Sequence, residues 1–461
     1  MTSDAERTVY IGCGAGFAGD RFDAAVPVVR HLAAQPGPRY LIFECLAERT
    51  IALAQAERVR DPERGYSVFL DRYFKPILAD ALAHDVRIVT NLGAANPVAG
   101  AHRVQALARE LGLAPPRVAV VLGDDLRGAL SDDGIRALPR LDGDDAFDRP
   151  IVAANTYLGA IPVRDAVATG AEVVLVGRTT DSTLVLGPLM HEFGWSEAEL
   201  DRLAAGTICG HVLECGAQVT GAYFADPGFK DVPDLAHVGF PVAEAKADGS
   251  FIVTKPGDTG GLVSRATVTE QLLYEMHDPA AYLVPDATCD ITGVRLADKG
   301  PNRIAVAGVR GHAPPASLKA TVCVENGWMA EAEMSYAGPN GAARAELAGQ
   351  VVETRLREQG ITEPVGIDLI GAGAALDPGN RGRSLGHAAA FDGDYRLRMA
   401  MIAETRDRAQ VLIDELQSLY CSGPAAGGGF RSHLTAQTAT GSVMVPRAVA
   451  DRSIHVEVVH P

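Results

Sequence analysis

Five short apolar segments in the first 180 residues each end in a loop of small or polar residues, and stretches of helical periodicity separate them. The segments are residues 9–11, 40–43, 87–90, 118–122 and 173–176. Strands that alternate with helices in this way predict a parallel sheet with right-handed crossovers. The carboxyl ends of such strands share one edge of the sheet, and ligands bind at that edge. The pattern therefore predicts where a site lies before it identifies a ligand.

The pattern of the chain changes after residue 249. Strands divided by Gly, Pro and Asn follow, and Asn326-Gly327 predicts a hairpin between two of them. The 461 residues also exceed the roughly 250 to 300 at which a single core stops growing. We therefore predict an α/β fold with a doubly wound, mainly parallel sheet, followed by a strand-rich antiparallel layer and a small α+β subdomain. The predicted domains are a glycine-loop domain at 1–249, a strand-rich domain at 250–380 and a C-terminal subdomain at 381–461.

Composition argues against several classes of function. The net charge of −16 repels nucleic-acid phosphates and anionic lipid, and no cluster of Lys and Arg overrides it. The seven cysteines are widely spaced without a C-x-x-C pair, so neither a disulfide framework nor a cysteine zinc site is predicted. The first residues do not form a signal peptide, and no stretch approaches the ~20 apolar residues of a membrane helix. We expect a cytoplasmic protein without nucleic-acid or membrane partners.

The loop after the first strand is rich in glycine. Its glycines are Gly12, Gly14, Gly16 and Gly19. A G-x-G-x-x-G pattern between a strand and a helix lets the backbone approach a phosphate, and Glu44 ends the next strand as a dinucleotide-binding acid would. Asp20 would repel a pyrophosphate unless it orients another group. A tight turn without any ligand is the alternative interpretation.

Carboxylates and amides follow other strands of the predicted sheet. Asp124 and Asp125 come directly after the strand at 118–122, and a crowded pair of carboxyls can serve as general acid and base. Neighbouring residues on an extended chain point in opposite directions, so one of the two is expected to face the cleft. Amide side chains at comparable positions could hold a carbonyl or a carboxylate, although Asn is also an ordinary turn residue. These side chains are Asn91, Asn96 and Asn155.

Arg178 and Asp181 follow the last strand of the series. The guanidinium fork of Arg178 would suit a substrate carboxylate or phosphate, and an ion pair that only ties the loop is the alternative. His211 and Glu214 could share a metal ion, but they lack a third ligand, so no metal is predicted. Neither a G-x-S-x-G elbow nor a P-loop motif occurs, which argues against acyl-enzyme hydrolases and P-loop nucleotide enzymes.

A series of short segments also carries a family resemblance. It includes the glycine loop through Asp20 and residues 43–48, 60–62, 91–97, 123–125, 155–160, 177–181, 191–195, 214–221, 259–261 and 269–275. In this order, over almost the whole chain, they resemble the acyclic terpene utilisation (AtuA) family of bacterial proteins. The resemblance implies a role in the degradation of branched acyl-CoA compounds derived from acyclic terpenes and leucine-like skeletons. Longer relatives look to have a further small ferredoxin-like domain with a Gly-Asp-Lys-Gly-Asp type motif. We do not find this motif in the present sequence.

These observations lead to one main hypothesis, a lyase or hydro-lyase acting on a branched acyl-CoA or a related carboxylate. A thioester enolate would form beside the amide donors of the glycine loop and of Asn91. Either Asp124 or Glu44 would move the proton. Arg178 would hold a distal carboxylate or phosphate. The alternatives are a nicotinamide- or flavin-dependent oxidoreductase and a non-catalytic acyl-CoA-binding or assembly subunit. No specific cofactor is implied, and a homo-oligomer is compatible with the sequence.

The candidate residues fall into two groups. The candidate catalytic residues are Asp124, Glu44, Asp125 and Asp181. The candidate substrate-binding residues are Gly12, Gly14, Gly16, Asp20, Asn91, Asn96, Asn155 and Arg178. Because their loops end strands of one predicted sheet, we expect them to surround a common cavity.

Overall fold

The computed structural model of the protein describes residues 7–141, 148–371 and 393–461. These residues form two compact units, each with more contacts within itself than with the other. The large unit comprises described residues of 7–141, 151–323 and 440–461, and the small unit comprises those of 148–150 and 324–439. This division does not test whether the three predicted domains fold independently, so their boundaries stay a prediction.

The described strands and helices are numbered along the chain. The strands are β1 (Thr8–Ala15), β2 (Arg39–Phe43), β3 (Val86–Thr90), β4 (Val118–Leu122), β5 (Ile151–Thr156), β6 (Val173–Val176), β7 (Val242–Lys246), β8 (Phe251–Thr254), β9 (Tyr282–Leu283), β10 (Thr288–Asp290), β11 (Arg295–Asp298), β12 (Ile304–Ala307), β13 (Arg310–His312), β14 (Ser317–Ala337), β15 (Val365–Ile370), β16 (Asp394–Ala403), β17 (Gly427–Pro446) and β18 (His455–Val459). The helices are α1 (Ala25–Ala33), α2 (Glu48–Arg60), α3 (Leu70–Phe74), α4 (Leu78–Ala83), α5 (Pro97–Glu110), α6 (Asp132–Arg136), α7 (Ile161–Ala168), α8 (Thr183–Phe193), α9 (Leu200–Glu214), α10 (Arg265–Leu273), α11 (Gly341–Glu358), α12 (Arg406–Ser422) and α13 (Arg447–Ala450).

The large unit is built on a ten-stranded sheet in the order β11-β12-β8-β7-β1-β2-β3-β6-β4-β18. The adjacent strands of the central group β1, β2, β3, β6 and β4 pair in parallel. These are the five strands predicted from the apolar segments, and the predicted α/β class is confirmed. The antiparallel strands β7, β8, β12 and β11 extend the same sheet at one side, and β18 pairs with β4 at the other.

Apolar residues cover both faces of this sheet. In β2, Tyr40 and Ile42 pack into the core that includes residues of α7, α8, α9 and α10, whereas Leu41 and Phe43 pack into the core that includes residues of α1, α3, α4 and α5. Successive side chains of a strand point to opposite faces, so an almost continuous apolar run is what a strand between two helical layers requires. This accounts for the apolar character of the predicted strands.

The small unit has the element order β14-α11-β15-β16-α12-β17, and its strands lie in the order β15-β16-β14-β17. A β-α-β-β-α-β unit of this kind is the ferredoxin-like arrangement. Side chains of α11 and α12 share a buried core with alternate residues of β14 and β16. The predicted hairpin at Asn326-Gly327 is wrong, because β14 continues through both residues as one strand. Gly327 has φ +71°, and a Cβ there would lie 2.3 Å from the carbonyl oxygen of Ala403, so the glycine serves a close approach to β16.

No helix among the described residues combines the length and apolarity needed to cross a membrane.

Gly16 directly follows β1 and lies against the backbone that follows α9. A Cβ at Gly16 would lie 2.4 Å from the carbonyl carbon of Cys215 and 2.6 Å from the nitrogen of Gly216. Both are backbone atoms, which cannot move aside as the end of a flexible side chain can. The contact therefore requires glycine at this end of β1.

We expect Gly16→Ala to lower the free energy of unfolding by about 1 to 3 kcal/mol, because the added methyl overpacks a rigid backbone contact. Gly128→Ala is the matched control, since no atom lies within 4 Å of its Cβ position, and it should change stability by less than ~0.5 kcal/mol. Urea denaturation of both variants measures the difference. Equal stabilities of the two variants would contradict this account of the loop.

Candidate functional site

A cavity of about 730 Å³ lies in the large unit at the carboxyl edge of the parallel strands. Gly16 follows β1, Glu44 follows β2 and Arg178 follows β6, and all three line the cavity. Further walls come from residues of 214–218, 274–275, 282–285 and 315–319. A second hollow of about 620 Å³ lies at the amino ends of the same strands and contains none of the predicted site residues. The edge predicted from the sequence is therefore the edge that carries the candidate chemistry.

Arg178 is the buried cation of the cavity, with 3% of its surface exposed. Its Nη2 donates a 2.7 Å hydrogen bond to Oδ1 of Asp181, and its guanidinium carbon lies 4.1 Å from the centre of the Tyr157 ring. Nε and Nη1 have no hydrogen-bond partner among the described residues. Burial alone would lower the pKa of Arg178, but the charge of Asp181 and its other neighbours raises it, so the guanidinium stays charged. A buried cation with unpartnered donors is suited to bind an acceptor group of a ligand.

Glu44 lies at the cavity wall with 9% of its surface exposed. Its Oε1 accepts hydrogen bonds from Nδ2 of Asn91 at 2.9 Å and from the nitrogen of Leu46 at 3.1 Å. Burial raises the pKa of Glu44 well above its ordinary value and the charge of Asp181 adds to the rise, while Arg178 and Asn91 oppose it. The raised pKa of Glu44 therefore favours its protonated form.

Asp181 faces the same cavity, and 36% of its side chain is exposed. The pKa of Asp181 is raised to about 6. Burial is the largest cause of the rise, the charge of Arg178 opposes it, and the charge of Glu214 adds to it. At pH 7 this carboxyl is mainly ionised beside the guanidinium. Glu44 and Asp181 thus lie in one cavity with raised pKa values, and because their charges interact their protons titrate as a pair.

His211 and Glu214 form a buried pair at the end of α9. Nδ1 of His211 lies 3.1 Å from Oε1 of Glu214. Burial alone would lower the pKa of His211, but the hydrogen bond and charge of Glu214 raise it overall. Nε2 of His211 and Oε2 of Glu214 find no partner in the described part of the chain. Within that part, no group of three or more His, Cys, Asp or Glu residues is arranged to hold a metal ion.

Tyr157, Glu48 and Lys319 form a polar group at another part of the wall. The Tyr157 hydroxyl donates to Oε1 of Glu48, and Nζ of Lys319 lies 3.8 Å from the same oxygen. The nitrogen of Tyr157 donates to the carbonyl of Lys319 at 2.9 Å, which holds the two residues together. Burial raises the pKa of Glu48, but the Tyr157 hydrogen bond and nearby cations outweigh it, so the pKa is lowered overall and Glu48 stays ionised.

Asp124 does not line the cavity. With 6% of its surface exposed, it accepts hydrogen bonds at Oδ2 from the nitrogen of Arg178 at 2.9 Å and from Nδ2 of Asn155 at 2.8 Å. A Cβ at Gly177 would lie 2.5 Å from its Oδ1. Asp124 and Asn155 therefore hold the backbone of Arg178 from behind the cavity wall. Burial raises the pKa of Asp124 to about 6.

Several other predicted residues have local partners away from the cavity lining. Oδ1 of Asp125 accepts from the nitrogen of Arg127 at 3.0 Å. Oδ1 of Asn96 accepts from the nitrogen of Ala99 at 3.3 Å, which makes Asn96 the N-cap of α5. Each of these side chains stabilises the start of a helical turn.

The glycine loop is held by the protein's own groups. Oδ2 of Asp20 accepts from the nitrogen of Gly16 at 2.9 Å. A Cβ at Gly12 would lie 2.3 Å from Cγ1 of Val28, and one at Gly14 would lie 2.5 Å from the ring of Phe43. Gly12 and Gly14 thus allow α1 and the side chain of Phe43 to pack closely on one face of β1. Among the predicted residues of the loop, Gly16 lines the cavity.

A family model described as the acyclic terpene utilisation family protein AtuA matches residues 9–459. The chain belongs to the AtuA family. No curated protein matches this chain, and no solved structure matches it. The family assignment confirms the resemblance carried by the ordered sequence segments and associates the chain with the use of acyclic terpenes.

In this AtuA chain, Glu48, Tyr157 and Lys319 were not predicted as site residues, and Glu214 was considered only as a metal ligand together with His211. The signal for three of them was present, because Glu48, Tyr157 and Glu214 lie within the segments 43–48, 155–160 and 214–221 that carry the family resemblance. Lys319 lies in none of those segments. It reaches the cavity because the first residues of β14 lie beside the end of β5.

The raised pKa of Asp124 predicts how stability depends on pH. The folded protein binds this proton more tightly than the unfolded chain, whose Asp has a pKa near 3.8. The buried carboxylate therefore destabilises the fold above about pH 6, and the penalty disappears as pH falls toward 4. Asn at position 124 is neutral throughout this range and can accept both hydrogen bonds through Oδ1.

We expect wild type to gain stability relative to Asp124→Asn as pH falls from 7 to 4, by up to about 3 kcal/mol. Chemical denaturation of both proteins across this range measures the difference. Asp23→Asn, which removes a carboxyl whose side chain is 77% exposed, controls for the change in net charge. A difference between wild type and Asp124→Asn that does not vary with pH would show that Asp124 titrates normally.

Proposed function

We propose that this AtuA-family protein is a lyase or hydro-lyase that acts on a branched carboxylate or its CoA thioester in the carboxyl-edge cavity. The observation that carries the proposal is the placement of Glu44 and Asp181 in one cavity beside Arg178. In a pair of carboxyl groups with different pKa values, the protonated group can act as general acid and the ionised group as general base. Family membership supplies the class of compound, acyclic terpenes and their breakdown products.

The two carboxyls divide the proton transfers in a dehydration. Glu44, whose raised pKa favours the protonated form, donates its proton to the hydroxyl oxygen of the substrate while the C–O bond breaks and water leaves. Asp181, ionised at neutral pH, accepts a proton from the adjacent carbon, and the electrons of that C–H bond form the C=C bond. Solvent then returns a proton to Glu44 and removes one from Asp181. Hydration is the same sequence in reverse.

Charge in the cavity favours reaction at a branched carbon. A carbon with three carbon substituents tolerates the positive charge that develops as water leaves. The carboxylates around it stabilise that charge, since preorganised groups of opposite sign act most strongly where charge develops. Carboxyl groups on the cavity wall belong to Glu44, Glu48, Asp181, Glu214 and Glu275.

Arg178 positions the substrate in this scheme. Its unpartnered N–H groups bind an oxygen of the substrate's carboxylate or carbonyl, which fixes the reacting carbons relative to Glu44 and Asp181. The amide groups that the sequence suggested as enolate donors have other partners, because the nitrogen of Gly16 donates to Asp20 and Nδ2 of Asn91 donates to Glu44. In the proposed reaction the proton transfers are therefore made by Glu44 and Asp181. Asp124 lies behind the cavity wall and transfers no proton.

We expect Glu44→Gln and Asp181→Asn each to lower turnover by about 10²-fold or more, because each removes one proton-transfer group. Both substitutions keep the shape of the side chain, so the folded protein should be retained. Turnover is measured as deuterium incorporation from D₂O into 3-methylbut-2-enoate and 3,7-dimethylocta-2,6-dienoate, each supplied as free acid and as CoA thioester.

The matched control is Glu244→Gln. Glu244 is a half-buried acid that pairs with Arg303 and does not line the cavity. It should leave turnover within about twofold of wild type. Wild-type rates in either of the two cavity variants would refute the assigned acid and base.

A further inference from the structure

We infer that the ligand of the cavity is a free branched hydroxycarboxylate whose carboxylate binds Arg178, and not a CoA thioester. The inference rests on the proposed function for its choice of site and goes beyond it in naming the form of the substrate. Three features of the wall support it: the donors left on Arg178, the balance of charge, and the division between polar and aliphatic residues.

The unpartnered donors of Arg178 suit a ligand with two acceptor oxygens. A guanidinium has five N–H groups arranged in two forks of parallel donors, which share Nη2. Asp181 accepts one Nη2 hydrogen, so one complete fork remains whichever hydrogen is used. The side chain is 4% exposed, and Nε and Nη1 lack partners among the residues described. A carboxylate satisfies a fork with two oxygens, whereas a thioester carbonyl has one and leaves a buried donor unpaired.

The charge of the wall disfavours a polyanion such as CoA. Five carboxyl groups line the cavity, and its basic residues are Arg178 and Lys319 as far as the described lining extends. Nζ of Lys319 lies 3.8 Å from Oε1 of Glu48, so the charge of this lysine is partly neutralised. The phosphates of CoA carry several negative charges and would meet these carboxylates with one partly neutralised lysine to hold them. Like-charge contacts of this kind disfavour the wrong ligand.

The remaining wall suits a hydroxyl group and a branched chain. Oε2 of Glu214 is buried with no donor to it from the described residues, and a substrate hydroxyl can supply that hydrogen. The hydroxyl oxygen then remains free to accept a proton from Glu44. The opposite part of the wall is aliphatic, and its members are Leu283, Val284, Pro285, Leu318 and Met444. The cavity, about 730 Å³, has the size of an ordinary small-molecule pocket.

Isothermal titration of the full chain tests this inference with three forms of one probe. The probes are 3-hydroxy-3,7-dimethyloct-6-enoate, its primary amide and its CoA thioester. The free acid should bind wild type at least ~tenfold more tightly than either of the others, a difference of about 1.4 kcal/mol. Equal binding of acid and amide, or tighter binding of the CoA thioester, overturns the inference.

Arg178→Gln adds a second test that locates the carboxylate. This variant should lose the preference for the acid over the amide, whereas Arg303→Gln, a control in the ion pair with Glu244, should keep it. Retention of the preference in Arg178→Gln overturns the assignment to Arg178. If that variant does not fold, the comparison of the three probes on wild type still decides the form of the substrate.

Turnover of the same probes separates this inference from the proposed function. Tight, Arg178-dependent binding of the free acid without dehydration would support the ligand and refute the lyase. Dehydration of the CoA thioester alone would support the lyase and refute the free acid as substrate.

Discussion

The guanidinium of Arg178 is buried at the end of β6, and the arrangement of the cavity depends on how its charge is balanced. Its backbone nitrogen donates to Asp124, its side chain donates to Asp181, and its guanidinium lies over the ring of Tyr157. A buried cation is costly unless carboxylates and hydrogen bonds compensate for the lost water. Asp181 and Tyr157, which provide part of this compensation, also line the cavity, whereas Asp124 lies behind its wall.

The same cation acts on the pKa values of both cavity acids. Burial raises the pKa of both Glu44 and Asp181, and the positive charge of Arg178 opposes the rise in each. Asp181 bonds to the guanidinium directly, while Glu44 accepts its hydrogen bonds from Asn91 and Leu46. In these different environments the pKa of Glu44 is raised well above its ordinary value, and that of Asp181 is raised to about 6.

The parallel half of the fold could be predicted from the sequence because each of its strands is a local apolar run that ends in small or polar residues. Glu44 and Arg178 were identified for the same reason, since each follows such a run directly. Non-local pairing could not be predicted: β18 joins the edge of the large sheet beside β4, and β14 passes through Asn326-Gly327 without turning. The direction of a side chain at a strand end could not be predicted either. Asp124 points behind the cavity wall, where Gly177 leaves room for its carboxyl group and Asn155 donates a hydrogen bond to it.

The central claim is that Glu44 holds a proton at neutral pH in the folded protein beside an ionised Asp181. Difference infrared spectroscopy between wild type and Glu44→Gln at pH 7 tests it most directly, through the C=O stretch of a protonated carboxyl group. The account predicts such a band in wild type and its loss in Glu44→Gln. A carboxylate band from Glu44 at pH 7, with no protonated band lost in the variant, would contradict it.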